Sequence, residues 1–200
     1  MKDKIIKKAT ELFMKLGFKS VTMDDIACEM CISKKTIYKY FGNKEELIED
    51  GTTSIQNQIH ETIDAIVSKN HNAIAESFEI RKMFTEMFQS AGASPLFQLK
   101  KHYPEIYTSI RSRQTEECQQ CFTKNINKGI SEGLYRTNLN VAMAVKFYYE
   151  LIFSINDQDA SEKEINEMEF EAMEYHIRAI SNEKGIEELE YQLQNHHKNN

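Results

Sequence analysis

The stretch Thr22–Lys44 constrains the fold most, because it contains three helix starts in quick succession. Thr22 is followed three residues later by an acid, which predicts a capping box and a first helix. Ser33 can cap a second helix that Gly42 ends, and Asn43 with an acid three residues later predicts another capping box. Starts this close together leave room only for the short connections of a helix-turn-helix.

The second helix of this unit, Ser33–Phe41, is predicted to have a cationic face opposite a buried one. At about 100° per residue Ile37 and Phe41 lie together and must face the core. The opposite face contains no carboxylate and is rich in hydrogen-bond donors, which suits a DNA major groove. The alternative is a solvated lysine face on a bundle helix. The exposed face comprises Lys35, Thr36, Tyr38 and Lys39.

The residues around this helix resemble the signature of TetR-type transcriptional regulators. The resemblance covers about the first quarter of the chain, and the turn residue Cys31 replaces the glycine that the family usually has. If this position requires positive φ, cysteine costs about 1 kcal/mol relative to glycine. The run T-x-x-x-I-A-x-x-x-x-(I/V)-S-K-x-T-(I/L)-Y-x-Y-F-x-x-K-E-E-L is represented by Thr22, Ile26, Ala27, Ile32, Ser33, Lys34, Thr36, Ile37, Tyr38, Tyr40, Phe41, Lys44, Glu45, Glu46 and Leu47.

Charge is distributed unevenly along the chain. The whole chain has a net charge of −6, which alone argues against nucleic acid. Residues 1–44, however, contain ten lysines and five acids, a balance of +5, and the remainder therefore carries −11. Positive charge concentrated on the helix-turn-helix is the electrostatic footprint of a DNA-binding unit.

The candidate DNA contacts divide into two groups. Lys35, Thr36 and Lys39 are expected nearest the base edges, because they lie on the exposed side of the second helix. Residues at the helix starts and flanks are expected to hold phosphates, with backbone N–H groups assisting. This second group comprises Thr22, Ser33, Lys34, Tyr38, Tyr40 and Lys44.

Apolar residues repeat at helical spacing through most of the remaining chain. A first helix from about Asp3 to Gly17 completes a three-helix unit, and a long helix runs from Asn43 to about Ser68. Two prolines and seven glycines in the whole chain favour an all-helical protein. Beyond Asn70 the predicted helices are Ile74 to near Gly92, Leu96–Tyr103, Glu105–Glu132, Val141–Ile155, Ser161–Ile180 and Glu183–Leu193, with a frayed tail at Gln194–Asn200.

Two of these helices predict a homodimer. Val141–Ile155 is apolar almost all round and must be covered on more than one side. Ser161–Ile180 has two apolar rows, of which one can face the domain core and the other a second copy. The alternative is a deeper core in a monomer. The two rows are Ile165, Met168 and Ala172, and Phe170, Met173 and Ile177.

The resemblance implies an all-α regulator with two domains. Residues 1–46 would form the DNA-binding domain and residues 47–200 the effector-binding and dimerisation domain, with helix 43–68 linking them. A TetR-like protein would bind a palindromic operator as a dimer, most simply as a repressor, and a small apolar effector would release it. Candidate effector-site residues are Met83, Phe84, Met87, Phe88, Tyr107, Phe122 and Tyr148. Arg81, Arg111 and Arg113 could recognise an acidic effector, although solvated surface arginines are the simpler interpretation.

Two alternatives use other features of the sequence. Cys28 with Cys31, and Cys118 with Cys121, have the spacing of a ligand or redox pair, so a thiol-redox or metal sensor stays open. The plainer interpretation is free thiols packed as small apolar groups, and no cofactor or metal is predicted. The other alternative is a helical module that binds a protein partner, and not DNA, through its lysine face.

Several functional classes are not expected. The chain has no glycine-rich phosphate loop, G-x-S-x-G or H-E-x-x-H motif, so it is not predicted to be an enzyme. It has no apolar run near the roughly 20 residues that span a bilayer, and its N-terminus is too polar for a signal peptide. Four cysteines without a secretory signal predict a cytoplasmic protein.

Overall fold

A computed structural model describes residues 1–89 and 94–199, and the regular structure in them is helical. This confirms the predicted all-α fold class. Outside the helices, the described residues contain one isolated antiparallel β-bridge, between Tyr135 and Ser181. None of the helices in these two ranges is long and apolar enough to cross a membrane. The helices are α1 Lys2–Leu16, α2 Met23–Glu29, α3 Lys34–Tyr38, α4 Lys44–Val67, α5 Ala73–Phe88, α6 Pro95–His102, α7 Pro104–Ser131, α8 Val141–Asn156, α9 Glu162–Ile180 and α10 Glu183–Asn199.

The predicted starts of α2 and α3 are confirmed at the level of hydrogen bonds. The Thr22 hydroxyl accepts from the Asp25 N–H at 3.2 Å, and the Asp25 carboxylate accepts from the Thr22 N–H at 2.8 Å. Ser33 Oγ accepts from the Thr36 N–H at 3.1 Å. These bonds satisfy backbone donors that a helix start leaves without partners, so each cap fixes where its helix begins.

The end of α3 and the cap of α4 differ from the prediction. The structure ends α3 at Tyr38, not at Phe41, and the Phe41 N–H closes a last bond to the Ile37 carbonyl at 3.2 Å. Asn43 caps α4 as predicted, accepting from Glu46 N–H at 2.8 Å. The reciprocal hydrogen bond of the predicted capping box is shifted by one residue. The Glu46 carboxylate accepts from the Gly42 N–H at 2.7 Å, and not from the Asn43 N–H.

The turn between α2 and α3 has the geometry that glycine usually serves. Cys31 adopts φ 52°, in the left-handed region, and the following Ile32 N–H bonds to the Ala27 carbonyl at 3.0 Å. Position 31 therefore has the positive φ on which the expected cost of cysteine depends. A side chain with a Cβ is strained in this conformation, by about 1 kcal/mol relative to glycine.

The core of the N-terminal unit includes residues from later helices. Ile5, Phe13, Ile37 and Leu47, from α1, α3 and α4, lie in one buried cluster. Three residues of α6 and α7 complete the same cluster: Leu99, Ile106 and Ile110. The division of the chain after residue 46 stays a prediction, and the N-terminal helices share their core with α6 and α7.

A second core lies among α5, α7, α8, α9 and α10. It contains Ile74, Ile126, Met173 and Leu189, so the predicted row Phe170, Met173 and Ile177 faces inward. The predicted frayed tail is wrong within the described residues, since α10 continues to Asn199 and the His196 ring stacks on Phe170 at 4.5 Å. The predicted helix end near Gly92 lies outside the described residues.

Gly129 generates a prediction about this second core. A Cβ at position 129 would overlap the Tyr135 ring, which is 1% exposed and has no room to move away. Gly129→Ala should lower the free energy of unfolding by about 3 kcal/mol, the upper range for overpacking. Urea unfolding followed by circular dichroism measures this. Asn127→Ala, at an exposed position of the same helix, is the control and should change stability by about 0.5 kcal/mol or less.

A substitution at Cys31 is expected to raise the free energy of unfolding. Cys31→Gly should raise the free energy of unfolding by about 1 kcal/mol, because glycine adopts positive φ without a Cβ penalty. The matched control is Cys28→Gly within α2, where glycine should lower it by roughly 0.5–1 kcal/mol. Thermal or urea unfolding compares the two variants. Destabilisation by both substitutions would contradict the strain assigned to the turn.

Candidate nucleic-acid interface

The exposed face of α3 carries lysines that have no acidic partner. Ile37 is fully buried and Phe41 is 2% exposed, so these two residues fix the rotation of the helix. Lys35 and Lys39 are exposed on the other side. In the described part of the chain, neither forms an ion pair or a side-chain hydrogen bond, and their positive charges remain available to an external anion.

Two of the candidate phosphate contacts have intramolecular partners. Lys34 Nζ lies 2.8 Å from the Asp24 carboxylate, and this hydrogen bond raises the lysine pKa. Lys44 Nζ donates to the Lys19 carbonyl at 3.3 Å and also lies 5.6 Å from the centre of the Tyr103 ring. Both cations are therefore already held in position by the protein.

The remaining candidates combine local hydrogen bonding with exposure. The Thr22 and Ser33 hydroxyls act in the caps, and Ser33 Oγ lies 2.8 Å from Thr36 Oγ1. Tyr38 and Tyr40 are 46% and 43% exposed. All nine candidate DNA-binding residues are at least partly exposed, which leaves them accessible to a ligand.

Helix α6 joins the helix-turn-helix unit to the end of α8. The Phe18 N–H donates to Gln98 Oε1 at 3.0 Å, so α6 is bonded to the segment that follows α1. At the other side Lys100 Nζ lies 2.8 Å from the Asp157 carboxylate, and the Tyr107 hydroxyl donates to it at 2.7 Å. Burial first, and then this bond, raise the pKa of Tyr107 to about 12, so the phenol stays protonated.

The candidate effector residues do not form one site. Tyr107 packs against the core of the N-terminal unit, whereas Phe122 and Tyr148 lie 4.9 Å apart at the second core. Phe84 and Phe88 stack on each other at 6.3 Å along α5. Of the other two candidates, Met83 is buried and Met87 is half-buried. The helical periodicity identified inward faces correctly, but those faces belong to different clusters.

A buried ion pair joins α5 and α9, and the sequence analysis did not predict it. Arg81 Nη1 lies 2.9 Å from the Glu169 carboxylate, and both side chains are mostly buried. The solvated interpretation is therefore wrong for Arg81. The signal was its position on the buried side of α5, three and seven residues after Phe78 and Ile74. Arg111 is also partly buried, with its guanidinium 3.8 Å from the Phe153 ring centre, while Arg113 is exposed.

The cysteines differ in exposure between the two pairs. Cys28 and Cys31 are exposed, whereas Cys118 and Cys121 are half-buried in α7. Burial raises the pKa of Cys118 to about 12 and that of Cys121 in the same direction, so few of these thiols ionise near neutral pH. Because the thiolate is the reactive form, this weakens the redox alternative at α7. No group of three metal-ligand side chains occurs in the described ranges.

Two surface concavities are lined by other residues. One, of about 360 Å³, lies on α1 and is lined by Lys4, Lys7, Lys8, Glu11 and Met30. The other, of about 370 Å³, lies between the segment after α1 and helix α6. Neither involves the seven effector candidates.

Comparison with known proteins gives the family of the N-terminal unit. Residues 5–50 match the model of bacterial regulatory proteins of the tetR family. The negative transcriptional regulator IcaR of the icaADBC biofilm operon in Staphylococcus epidermidis is 30% identical over 112 residues, which is 56% of this chain and 54% of IcaR. The match thus spans about half of that relative. The HTH-type regulator YhgD of Bacillus subtilis is 26% identical, covering 78% of this chain and 85% of YhgD.

Solved structures show the same fold along most of the chain. A transcriptional regulator from Cytophaga hutchinsonii superimposes with a TM-score of 0.72 at 20% identity, covering 90% of this chain and 98% of that one. A TetR-family regulator from Agrobacterium tumefaciens gives a TM-score of 0.71 at 12% identity, covering 90% and 97%. The expectation that the chain is not an enzyme agrees with these relatives, which are transcriptional regulators. Residues 5–50 thus match the tetR family of bacterial regulatory proteins, and the chain has the fold of solved TetR-family regulators.

Proposed function

We propose that this regulator is a dimeric repressor whose two α3 helices read a palindromic operator. The observation that carries the proposal is the exposed, unpaired lysine face of α3 opposite two fully buried apolar residues. A positive, donor-rich helix entered from a tight turn suits the major groove. Negative regulation by IcaR, a relative over half of its length, supports repression as the output.

Within each subunit, the cations have different roles in the proposed complex. Lys35 and Lys39 have no intramolecular partner and lie nearest the bases together with Thr36. Lys44 and the polar groups at the helix starts contact phosphates, as do Lys34, Tyr38 and Tyr40. The partners of Lys34 and Lys44 hold these two side chains near the backbone of the duplex, which favours positioning over base recognition.

The proposed dimer uses an apolar patch on α8 and α9. On α8, Met143, Phe147 and Leu151 recur every four residues and are 41%, 66% and 39% exposed. On α9, Met168 and Tyr175 are seven residues apart, hence on one face, and are 38% and 72% exposed. The other two members of the apolar row that contains Met168 are Ile165 and Ala172, which are buried within the subunit. Large apolar side chains exposed on two adjacent helices support a two-fold helical interface.

Release of the operator is proposed to follow from binding of a small apolar effector in the C-terminal helices. Half-buried aromatic and methionine side chains of α5, α7 and α8 could adapt to such a ligand. The change would reach the DNA-binding unit through α6, which is bonded both to Phe18 and to Asp157. The coupling free energy between such sites is of the order of 1–3 kcal/mol.

The division between base and phosphate contacts is tested with two lysine variants. Lys35→Ala should weaken operator binding and relax selectivity at one base position, by about 1–3 kcal/mol. Lys44→Ala should weaken binding to all sequences alike and lower the slope of log affinity against log salt by about 1. Fluorescence anisotropy with a palindrome from the adjacent intergenic region and its single-base variants measures both. Equal losses of selectivity in the two variants would contradict the assignment.

The dimer is tested at the most exposed phenylalanine of the patch. Phe147→Glu should convert a dimer into a 23.4 kDa monomer, because a charge and its symmetry mate would be buried. Analytical ultracentrifugation measures the mass, and operator affinity should fall at least about tenfold. Val67→Glu, at an exposed apolar residue of α4, is the control and should remain dimeric. A wild-type protein that sediments as a monomer at micromolar concentration would refute the proposal.

A further inference from the structure

The concavity between the segment after α1 and helix α6 has an unusual charge pattern. We call this site the junction cleft; it has a volume of about 370 Å³. Its cationic groups are Lys15, Lys19, Lys101 and His102, and the acid among its lining residues is Asp159. The cleft thus collects positive side chains from both the DNA-binding unit and the C-terminal helices, although the chain as a whole is acidic.

The lysines of the junction cleft lack acidic partners. Within residues 1–89 and 94–199, Lys15, Lys19 and Lys101 form no ion pair. Neighbouring cations behave differently, since Lys100 pairs with Asp157 at 2.8 Å. Burial lowers the pKa of His102, and repulsion of its charged form by Lys19 and Lys101 lowers this pKa further. An anion in the cleft would relieve that repulsion.

The cleft also has an apolar wall. Phe97 lines it, and the Lys101 ammonium lies 5.3 Å from the centre of the Phe97 ring. Leu16, on the opposite side, is 54% exposed. Apolar side chains next to several cations suit a small molecule that has both an apolar body and an anionic group.

We propose that the junction cleft binds a small molecule that carries a phosphate group. Lys19 and Lys101 approach the phosphate from the two sides of the cleft, as point charges that donate hydrogen bonds. An apolar or aromatic body attached to the phosphate rests against Phe97 and Leu16. This site is separate from the apolar effector residues of α5, α7 and α8. Since it contacts both the α1–α2 connection and α6, its ligand would act at the joint between the two parts of the chain.

The proposal is tested by calorimetric titration of the full chain with two probes, inorganic phosphate and phenyl phosphate, in Tris-chloride at constant ionic strength. Saturable binding is expected for both, with phenyl phosphate bound about threefold or more tighter because its ring is buried. The double variant Lys19→Ala/Lys101→Ala should weaken binding of both by about tenfold or more. Its thermal unfolding should match the wild type, since both side chains are exposed.

The matched control removes the same charge from the other lysine-lined concavity. Lys4→Ala/Lys7→Ala should leave the affinity for both probes within about twofold, because the two lysines lie on another part of α1. An equal loss in the two double variants would show a general effect of net charge and overturn the site. So would binding that does not saturate, or a phenyl phosphate affinity no higher than that of phosphate.

A second measurement separates a small-molecule site from a contact with the DNA backbone. The affinity of each double variant for a random-sequence duplex is measured against salt concentration. The proposal expects the same slope for wild type and Lys19→Ala/Lys101→Ala. A slope lowered by about 2, with phosphate binding retained, would assign these lysines to DNA phosphates and overturn the proposal. Because this duplex carries no operator, the outcome is independent of the proposed repressor function.

Discussion

The burial of Ile37 and Phe41 is the interaction on which the proposed DNA-binding surface depends. Helix α3 runs only from Lys34 to Tyr38, and an isolated helix of that length is unstable in water. Its rotation is therefore set by packing, and each of the two apolar side chains contributes about 1.5–3 kcal/mol when fully buried. A rotation that exposed them would also turn Lys35 or Lys39 toward the core. The cationic face is thus oriented by the same contacts that stabilise the N-terminal unit.

That packing is not confined to the N-terminal helices. Leu99, Ile106 and Ile110 belong to the same buried cluster, so α6 and the beginning of α7 form part of the support under the DNA-binding unit. The hydrogen bonds of Asp157 to Lys100 and Tyr107 extend this support to the end of α8. A displacement of α8 relative to α7 would either break these bonds or move α6 with it. Either result alters the side of the core on which α1 rests, which gives a physical route between the two parts of the chain.

The sequence predicts features set by local chemistry better than those set by distant partners. The caps at Thr22 and Ser33 and most helix bounds follow from residues within a few positions, whereas only the resemblance to the family points to positive φ at Cys31. The order of the tail depends on a distant partner, because the His196 ring stacks on Phe170. Helical periodicity likewise indicates that Tyr107 and Tyr148 face inward. It carries no information on which helix each one meets, so it could not separate the two clusters.

The same distinction applies to the charges at the DNA-binding surface. The sequence already separates Lys34 from Lys35 and Lys39 by helix face, but only the structure shows that Lys34 is paired with Asp24 across ten residues. A paired lysine must give up its carboxylate to neutralise a phosphate, and an exposed pair contributes about 0–1 kcal/mol. An unpaired lysine gives up only its hydration. Its binding is favoured by the counterions that it releases from the duplex. In the proposed complex the net favourable electrostatic term therefore comes mainly from the unpaired lysines, and the Asp24 carboxylate would keep Lys34 ordered and reduce its contribution to affinity.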